Sequence, residues 1–252
     1  MISLMTLLEE IKNQPKVIFL AGPAGSGKST IAKQLIPNSY VIINIDDTYE
    51  ELLRKSGIGM SQKDFGPEDL SKAAQLMGQA TKLTKEKFIE LSKSLKNIVI
   101  DGTGSASNPL LKKKQELENL GYKAFMIALY VSPITSLQRN LERERNLLPS
   151  IVVRSWRDYN KNIDIYKKEF GSNFVLINND PKEAEKHYNI EDIKKRFFDT
   201  TKGFGKEKSP EDQLKSQADK DQITKDIQNL IKVNYKFDSL DSVKQKLNNF
   251  IK

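Results

Sequence analysis

Apolar residues fall along this chain in short, nearly unbroken runs rather than in strict alternation. Five such runs lie in the first 180 residues: Lys16–Ala21, Tyr40–Ile45, Asn97–Ile100, Tyr122–Val131 and Asn173–Asn178. Runs of this kind predict parallel strands buried on both faces. Helical patterns begin between them, near Lys28, Asp47, Glu68, Pro109, Pro133 and Ser150. Asn108-Pro109 reads as an N-cap followed by proline at the first helical position. Strands that alternate with helices predict an α/β fold, a five-stranded parallel sheet with helices packed on both faces.

After Pro181 the pattern changes. No convincing strand follows, and apolar positions recur at helical spacing in Ile223, Ile227, Leu230 and Ile231, then in Leu240, Val243, Leu247 and Ile251. Two amphipathic helices follow from that spacing. Thr200 to Lys220 is polar and rich in turn residues, the composition of a linker. The expected division is therefore one domain over residues 1–180 and a Lys-rich helical C-terminal extension over 181–252, and 252 residues suffice for both.

Composition removes several chemistries. The absence of cysteine excludes disulfides, thiolate metal sites and cysteine nucleophiles, and a single histidine, His187, argues against a His-based metal cluster or a Ser/His/Asp triad. His187 itself reads as a surface or capping residue. No apolar run is long enough to span a membrane, and the N-terminus, Met1 to Gln14, carries Glu9 and Glu10 inside its apolar pattern, as an amphipathic helix does and a signal peptide does not. A soluble, cytoplasmic protein without a membrane partner is expected. Lys plus Arg total 41 against 33 Asp plus Glu, a net charge of +8. That surplus suits anionic ligands, phosphates or nucleic acid, without choosing between them.

The sharpest motif is Gly22-Pro23-Ala24-Gly25-Ser26-Gly27-Lys28-Ser29, a complete G-x-x-x-x-G-K-[ST] pattern between a predicted strand and a predicted helix. Its glycines let the backbone form a nest whose N–H groups face phosphate oxygens, and the following helix adds its positive end. Gly22, Gly25, Ser26, Gly27, Lys28, Ser29 and Thr30 are thus candidate nucleotide ligands. Lys28 would reach the β- and γ-phosphates of ATP, and the Ser29 hydroxyl would ligate Mg²⁺. Asp101, at the end of Asn97-Ile98-Val99-Ile100, has the Walker B position and is the second candidate metal ligand. Thr103 follows, either on phosphate or capping the turn.

A phosphate loop names a nucleotide and not a reaction. Asp46-Asp47 closes the second predicted strand, and ligands of such sheets gather at the carboxyl ends of strands. With Asp47 capping the next helix, Asp46 is left to deprotonate an acceptor hydroxyl. Five of the seven arginines, Arg139, Arg143, Arg145, Arg154 and Arg157, fall within 19 positions. Arg139 and Arg143 share a helix face, a geometry for gripping a transferring phosphoryl group, although Glu142 and Glu144 could pair with them on a solvated face. Trp156, Tyr159 and Tyr166 are expected to pack rather than to stack on a base. Lys112-Lys113-Lys114 and Lys194-Lys195-Arg196 read as solvated helix faces with some capacity for a nucleic-acid backbone.

The order of the phosphate loop, Ile43-Asn44-Ile45-Asp46-Asp47, Val99-Ile100-Asp101, Gln138-Arg139-Asn140-Leu141-Glu142-Arg143, Leu148-Pro149 and Val152-Val153-Arg154-Ser155-Trp156 resembles the kinase domain of phage-type polynucleotide 5′-hydroxyl kinases. More widely it resembles the zeta-toxin and gluconate-kinase relatives among P-loop kinases, over about residues 15–180. The resemblance implies a P-loop kinase sheet, Asp46 as general base, Arg139 and Arg143 as lid arginines, and Asn178 to Pro181, with Asn179, beside the adenine. It implies transfer of the γ-phosphoryl of Mg·ATP to a hydroxyl, and an origin in a phage. Where the polynucleotide kinases carry an arginine after the Asp-Asp pair, this chain has Thr48-Tyr49-Glu50. Asp219-Lys220-Asp221 lacks the apolar strand of a phosphatase nucleophile. An insertion, Lys55 to Leu95, is expected to line the acceptor site.

Three functions follow. The first is a kinase of a hydroxyl on DNA or RNA, at a 5′ end or on a hydroxymethylated base. The second is a zeta-toxin-like kinase of a nucleotide sugar or other small metabolite, and the third a nucleotide-dependent binding module with incidental ATPase activity. Asp46 speaks against the third, because hydrolysis alone needs no base at the acceptor crevice. Oligomeric state is not encoded in any of these patterns.

Overall fold

The computed structural model describes residues 14–61, 65–145, 147–181, 221–222, 225–226 and 228–251. The expected N-terminal helix before Gln14, His187, Lys194 to Arg196, the 200–220 linker, and Ile223 and Ile227 lie outside the described residues. The strands are β1 (Lys16–Ala21), β2 (Val41–Asn44), β3 (Ile98–Gly102), β4 (Lys123–Tyr130) and β5 (Phe174–Asn178). The helices are α1 (Lys28–Leu35), α2 (Ile45–Ser56), α3 (Pro67–Lys93), α4 (Ser107–Asn119), α5 (Pro133–Leu141), α6 (Pro149–Phe170) and α7 (Leu240–Ile251). All strand pairs are parallel, in the order β2-β3-β1-β4-β5. The order changes direction beside β1, so a crevice opens at its carboxyl end, where the phosphate loop begins.

Both faces of the sheet are covered, and β1 shows how. Val17, Phe19 and Ala21 point into one core with Tyr159, Ile163 and Tyr166 of α6 and Leu117 of α4. Ile18 and Leu20 point into the other, with Ile31 and Ala32 of α1 and with Val243 and Leu247 of α7. Alternation within a continuous apolar run thus feeds two cores at once. The C-terminal helix is a full member of the second core: Val243 is 0% and Leu247 1% exposed. The chain leading to it is fastened to β5 by Asp238, whose N–H donates to Leu176 O at 2.8 Å and whose carboxylate accepts from Leu176 N at 3.0 Å. Lys16 Nζ donates to Ile251 O at 2.7 Å, a cation at the negative end of α7.

Two helix starts differ from expectation. Helix α4 begins at Ser107 with Ala106 as its N-cap, so Asn108 is not the cap and Pro109 sits at the third helical position. Proline is tolerated there because the N–H groups of the first turn have no partner within the helix. Helix α2 starts at Ile45, two residues early, because the Asn44 side chain accepts from Asp46 N at 2.8 Å and caps it. Asp47 is therefore not the cap; both aspartates stand in the first turn, where the helix dipole favours negative charge. The insertion after α2 is mostly α3, a 27-residue helix packed on α2 through Tyr49, Leu53, Ile58 and Ala80. Lys87 of α3 donates to Ile42 O at 2.9 Å on the edge strand β2.

Candidate active site

The phosphate loop hangs between β1 and α1 and is braced from three sides. Gly25 and Gly27 have φ of 72° and 82°, a region that L side chains rarely adopt. A Cβ on Gly25 would stand 2.9 Å from Ser136 O and 3.0 Å from Arg139 Cβ, and one on Gly27 would collide with Asn179 Nδ2. Ser136 of α5 donates to Ala24 O at 2.6 Å, and Asn179 Nδ2 donates to Ser26 O at 2.8 Å. Arg139 joins the two braces, giving Nη1 to Gly25 O and Nη2 to Asn179 O, both at 3.1 Å. Ser26 is fully buried, whereas Ser29 and Thr30 are exposed at the start of α1. Lys28 Nζ rests on Gly22 O at 2.8 Å and Pro23 O at 3.4 Å. Burial lowers its pKa most; the charges of Asp101 and Asp46 oppose that shift and Arg143 adds to it.

The carboxylates come from β3 and from the first turn of α2, which follows β2 directly. Asp101 lies within β3, in register with Leu20 on one side and Asn44 on the other. Asn44 Nδ2 donates to Asp101 Oδ2 at 2.8 Å, so the residue that caps α2 also holds the Walker B carboxylate. Asp101 Oδ1 is buried and has no hydrogen-bond partner. Burial pushes the Asp101 carboxyl up to about 6; Lys28 pulls it down, Asp47 and Asp46 push it further up, and the Asn44 bond lowers it. Asp47 is also raised, first by burial and then by Glu50 and Asp46. Asp46 is 42% exposed and pairs with Arg145 Nη1 at 3.0 Å. Lys28, Asp46 and Asp101 therefore share one electrostatic neighbourhood at the carboxyl ends of β1, β2 and β3.

The arginine-rich segment divides into separate tasks. Arg139 braces the phosphate loop, and Arg143, 42% exposed, pairs with Glu50 at 3.6 Å. Arg145 is only 6% exposed and lies between Asp46, Glu50 and the Tyr49 ring. Arg157 pairs with Asp158 at 2.6 Å, away from this cluster. Trp156, Tyr159 and Tyr166 are fully buried, in keeping with packing: Trp156 Nε1 donates to Val131 O at 2.7 Å and Tyr166 donates to Gly104 O at 2.7 Å. Thr103 shares a 2.8 Å hydrogen bond with Ser105, a turn contact. Lys113 sits over Phe88, and Lys114 pairs with Glu118 at 2.8 Å.

Sequence reasoning assigned no role of their own to Asn44 and Asp180 and left Arg145 as one member of the arginine cluster. Asn44 carried a legible signal, an Asn immediately before a helical pattern opening with two acids. Asp180 accepts from Ser132 N through both oxygens, at 2.9 and 2.8 Å, and ties the loop after β5 to the start of α5. Nothing local marks it. A cavity of about 420 Å³ lined by Lys16, Lys123, Phe125 and Phe250 lies at the opposite ends of the strands and takes no part in this site.

A loop of this geometry, beside a carboxylate on β3 and a second at the start of α2, suits a nucleotide-dependent P-loop enzyme, and comparison with known proteins decides the family. The zeta toxin profile matches residues 5–190. The chain belongs to the zeta toxin family. Among curated relatives, the "UPF0200 protein" of Thermococcus onnurineus is 26% identical over 176 residues, 66% of this chain and 90% of that protein. A dephospho-CoA kinase of Staphylococcus aureus is 27% identical over 182 residues, 65% of this chain and 85% of the relative. The crystal structure of AvrRxo1-ORF1:-ORF2 with ATP superposes with a TM-score of 0.53 at 18% identity, covering 97% of this chain and 82% of that one, a likeness of fold. The zeta-toxin membership and the kinase relatives support a P-loop phosphotransferase. Among the described residues no helix is long and apolar enough to cross a membrane.

The site residues suit Mg²⁺. The orphaned Oδ1 of Asp101 and the exposed Ser29 hydroxyl are hard oxygen donors of the kind Mg²⁺ takes. Among the described residues no group of three acidic or histidine side chains could hold a metal unaided. Phosphate oxygens of the nucleotide would supply further ligands, as is usual for Mg²⁺.

Proposed function

We propose that this zeta-toxin family member is an ATP-dependent kinase that transfers the γ-phosphoryl group to a hydroxyl of a small metabolite such as a nucleotide sugar. The observation that carries the reading is the position of Asp46. It stands at the carboxyl end of β2, within electrostatic reach of Lys28 on the phosphate loop, and remains accessible from the crevice. In the proposed reaction the acceptor hydroxyl gives its proton to Asp46 as its oxygen bonds to the γ-phosphorus. The bond to the bridging oxygen breaks and ADP leaves with that electron pair. Lys28 and the loop N–H groups hold the phosphates in line, and Arg143 faces the same crevice as a candidate for charge on the transferring group. Mg²⁺, held by Ser29 and Asp101, would neutralise phosphate charge. Asn179 and Arg139, which brace the phosphate loop, would border the adenine in this reading.

Support for a small acceptor comes from what surrounds the base. Glu50, one turn after Asp46, occupies the stretch where polynucleotide kinases carry a phosphate-gripping arginine; paired with Arg143 and Arg145, it offers no cation there to a backbone phosphate. Trp156, Tyr159 and Tyr166, the candidates for base stacking, are buried, and Lys113 and Lys114 are engaged with α3, α4 and α6. The net charge of +8 suits either class of anionic acceptor.

Radiolabelled ATP offered with nucleotide sugars, 5′-hydroxyl oligonucleotides and hydroxymethylpyrimidine DNA tests the reading. Label should pass to the small acceptor, and Asp46→Asn should lower kcat by about 100-fold or more while ATP affinity is retained. Label on the oligonucleotides instead would reverse the acceptor class. Full activity in Asp46→Asn would remove Asp46 as the base.

A further inference from the structure

We propose that Arg145 is the positioning residue for Asp46: it orients the base from beneath and does not grip phosphate as a lid arginine. The inference rests on the kinase reading above and adds a division of labour within the arginine cluster.

The geometry of Arg145 is that of a buried support. Its side chain is 6% exposed, against 42% for Arg143 two residues before it. Nη1 lies 3.0 Å from Asp46 Oδ1 and 3.5 Å from Glu50 Oε1. The guanidinium carbon stands 5.1 Å from the centroid of Tyr49, a ring itself only 2% exposed in the core between α2 and α3. Base, second carboxylate and ring all come from the first turns of α2, so a single side chain from the segment after α5 clasps that helix start. Burying a guanidinium is unfavourable unless it is paired, and here Nε is left buried without a partner. A solvated ion pair would not require that burial; a fixed support for a carboxylate does.

The chemistry fits the position. A guanidinium is permanently charged, so it holds a carboxylate in place without competing for the acceptor proton. Asp46 keeps 42% of its side-chain exposure, so the pair leaves the carboxylate open to the crevice. Glu50 completes the clasp and links it to Arg143 at 3.6 Å and Arg54 at 4.0 Å. Arg139, Arg143 and Arg145 thus serve the phosphate loop, the crevice and the base, respectively.

A double-mutant cycle distinguishes support from phosphate binding. Arg145→Met should lower kcat on the order of 100-fold, as misplacement of a reacting group does, with KM for ATP changed less than about twofold. In the Asp46→Asn background Arg145→Met should add no further loss, because the group it positions is already gone. A raised KM for ATP at unchanged kcat, or losses that multiply in the double variant, would overturn the inference. Arg145→Lys, charged but unable to bridge both carboxylates, should recover only part of kcat. Melting temperatures of the same four proteins, read without acceptor, should be non-additive, and additive shifts would overturn the pairing itself. A wild-type protein that labels none of the three acceptor classes while its melting shifts are non-additive would count against the kinase reading and for the clasp.

Discussion

Replacing Asp101 with asparagine should stabilise the nucleotide-free protein while ending phosphoryl transfer. The carboxyl is pushed up to about 6 from 3.8, chiefly by burial. The folded state therefore binds this proton more tightly than the unfolded chain does. Its favourable contribution is complete below pH 3.8, disappears as pH rises through 6, and leaves a charged carboxylate held at a penalty above that. A shift of about two pH units corresponds to about 3 kcal/mol at 1.36 kcal/mol per unit. Asparagine has the shape of the protonated acid, cannot ionise, and can still accept from Asn44 Nδ2. Its amide would replace the unpartnered Oδ1 and lack an acceptor, at a penalty of about 1 kcal/mol. A net gain of about 2 kcal/mol above pH 7 follows, equivalent to roughly 4–8 °C in Tm for a chain of this size. Urea melts of both proteins from pH 4 to 8 should show no advantage for Asp101→Asn at pH 4, a gap opening between pH 4 and 6, and a plateau above 7. Saturating Mg·ATP should close or invert the gap, because ligand bound only by the folded state stabilises the wild type. A gap of zero or opposite sign at pH 7.5, or one independent of pH, would refute burial as the source of the shift.

Two further outcomes test the loop and the C-terminal helix. Gly25→Ala forces a Cβ against Ser136 O at a φ of 72°, so it should destabilise by about 1–3 kcal/mol in thermal melts and weaken ATP binding in a titration. An unchanged ATP affinity would mean that the loop does not need this conformation. Leu247→Ala empties a site that is 1% exposed in the core beneath α1, and a loss of about 2–4 kcal/mol in chemical denaturation is expected. A loss below about 0.5 kcal/mol would show that α7 does not hold this position in solution.

Much of the fold was legible because its signals are local. Lys16–Ala21 occupies the expected strand residue for residue, and the helices at Lys28 and Pro133 begin where predicted. Continuous apolar runs reported strands buried on both sides, and the loop pattern placed Lys28 and Ser29 without reference to any distant residue. The miss at Asn108 and the early start of α2 are cap effects. Which residue caps depends on backbone angles and on a side chain two positions away, and hydrophobic period does not carry that information.

The site divides along the same line. Sequence alone determined the sheet, the phosphate loop and the candidacy of Asp46 and Asp101, since each follows from residue type and spacing within one element. Only the tertiary structure decided how the arginines are used. The spacing of Arg139, Arg143 and Arg145 was visible, but their burial and partners depend on where the segment after α5 meets α2, and Glu50 and Arg145 are 95 residues apart. It also decided that α7 fills the core beside α1, because an amphipathic stripe specifies that a face must be covered and leaves open which surface covers it. Charge pairing across elements and the choice of packing partner are properties of the assembled chain, set by distances that no local pattern encodes.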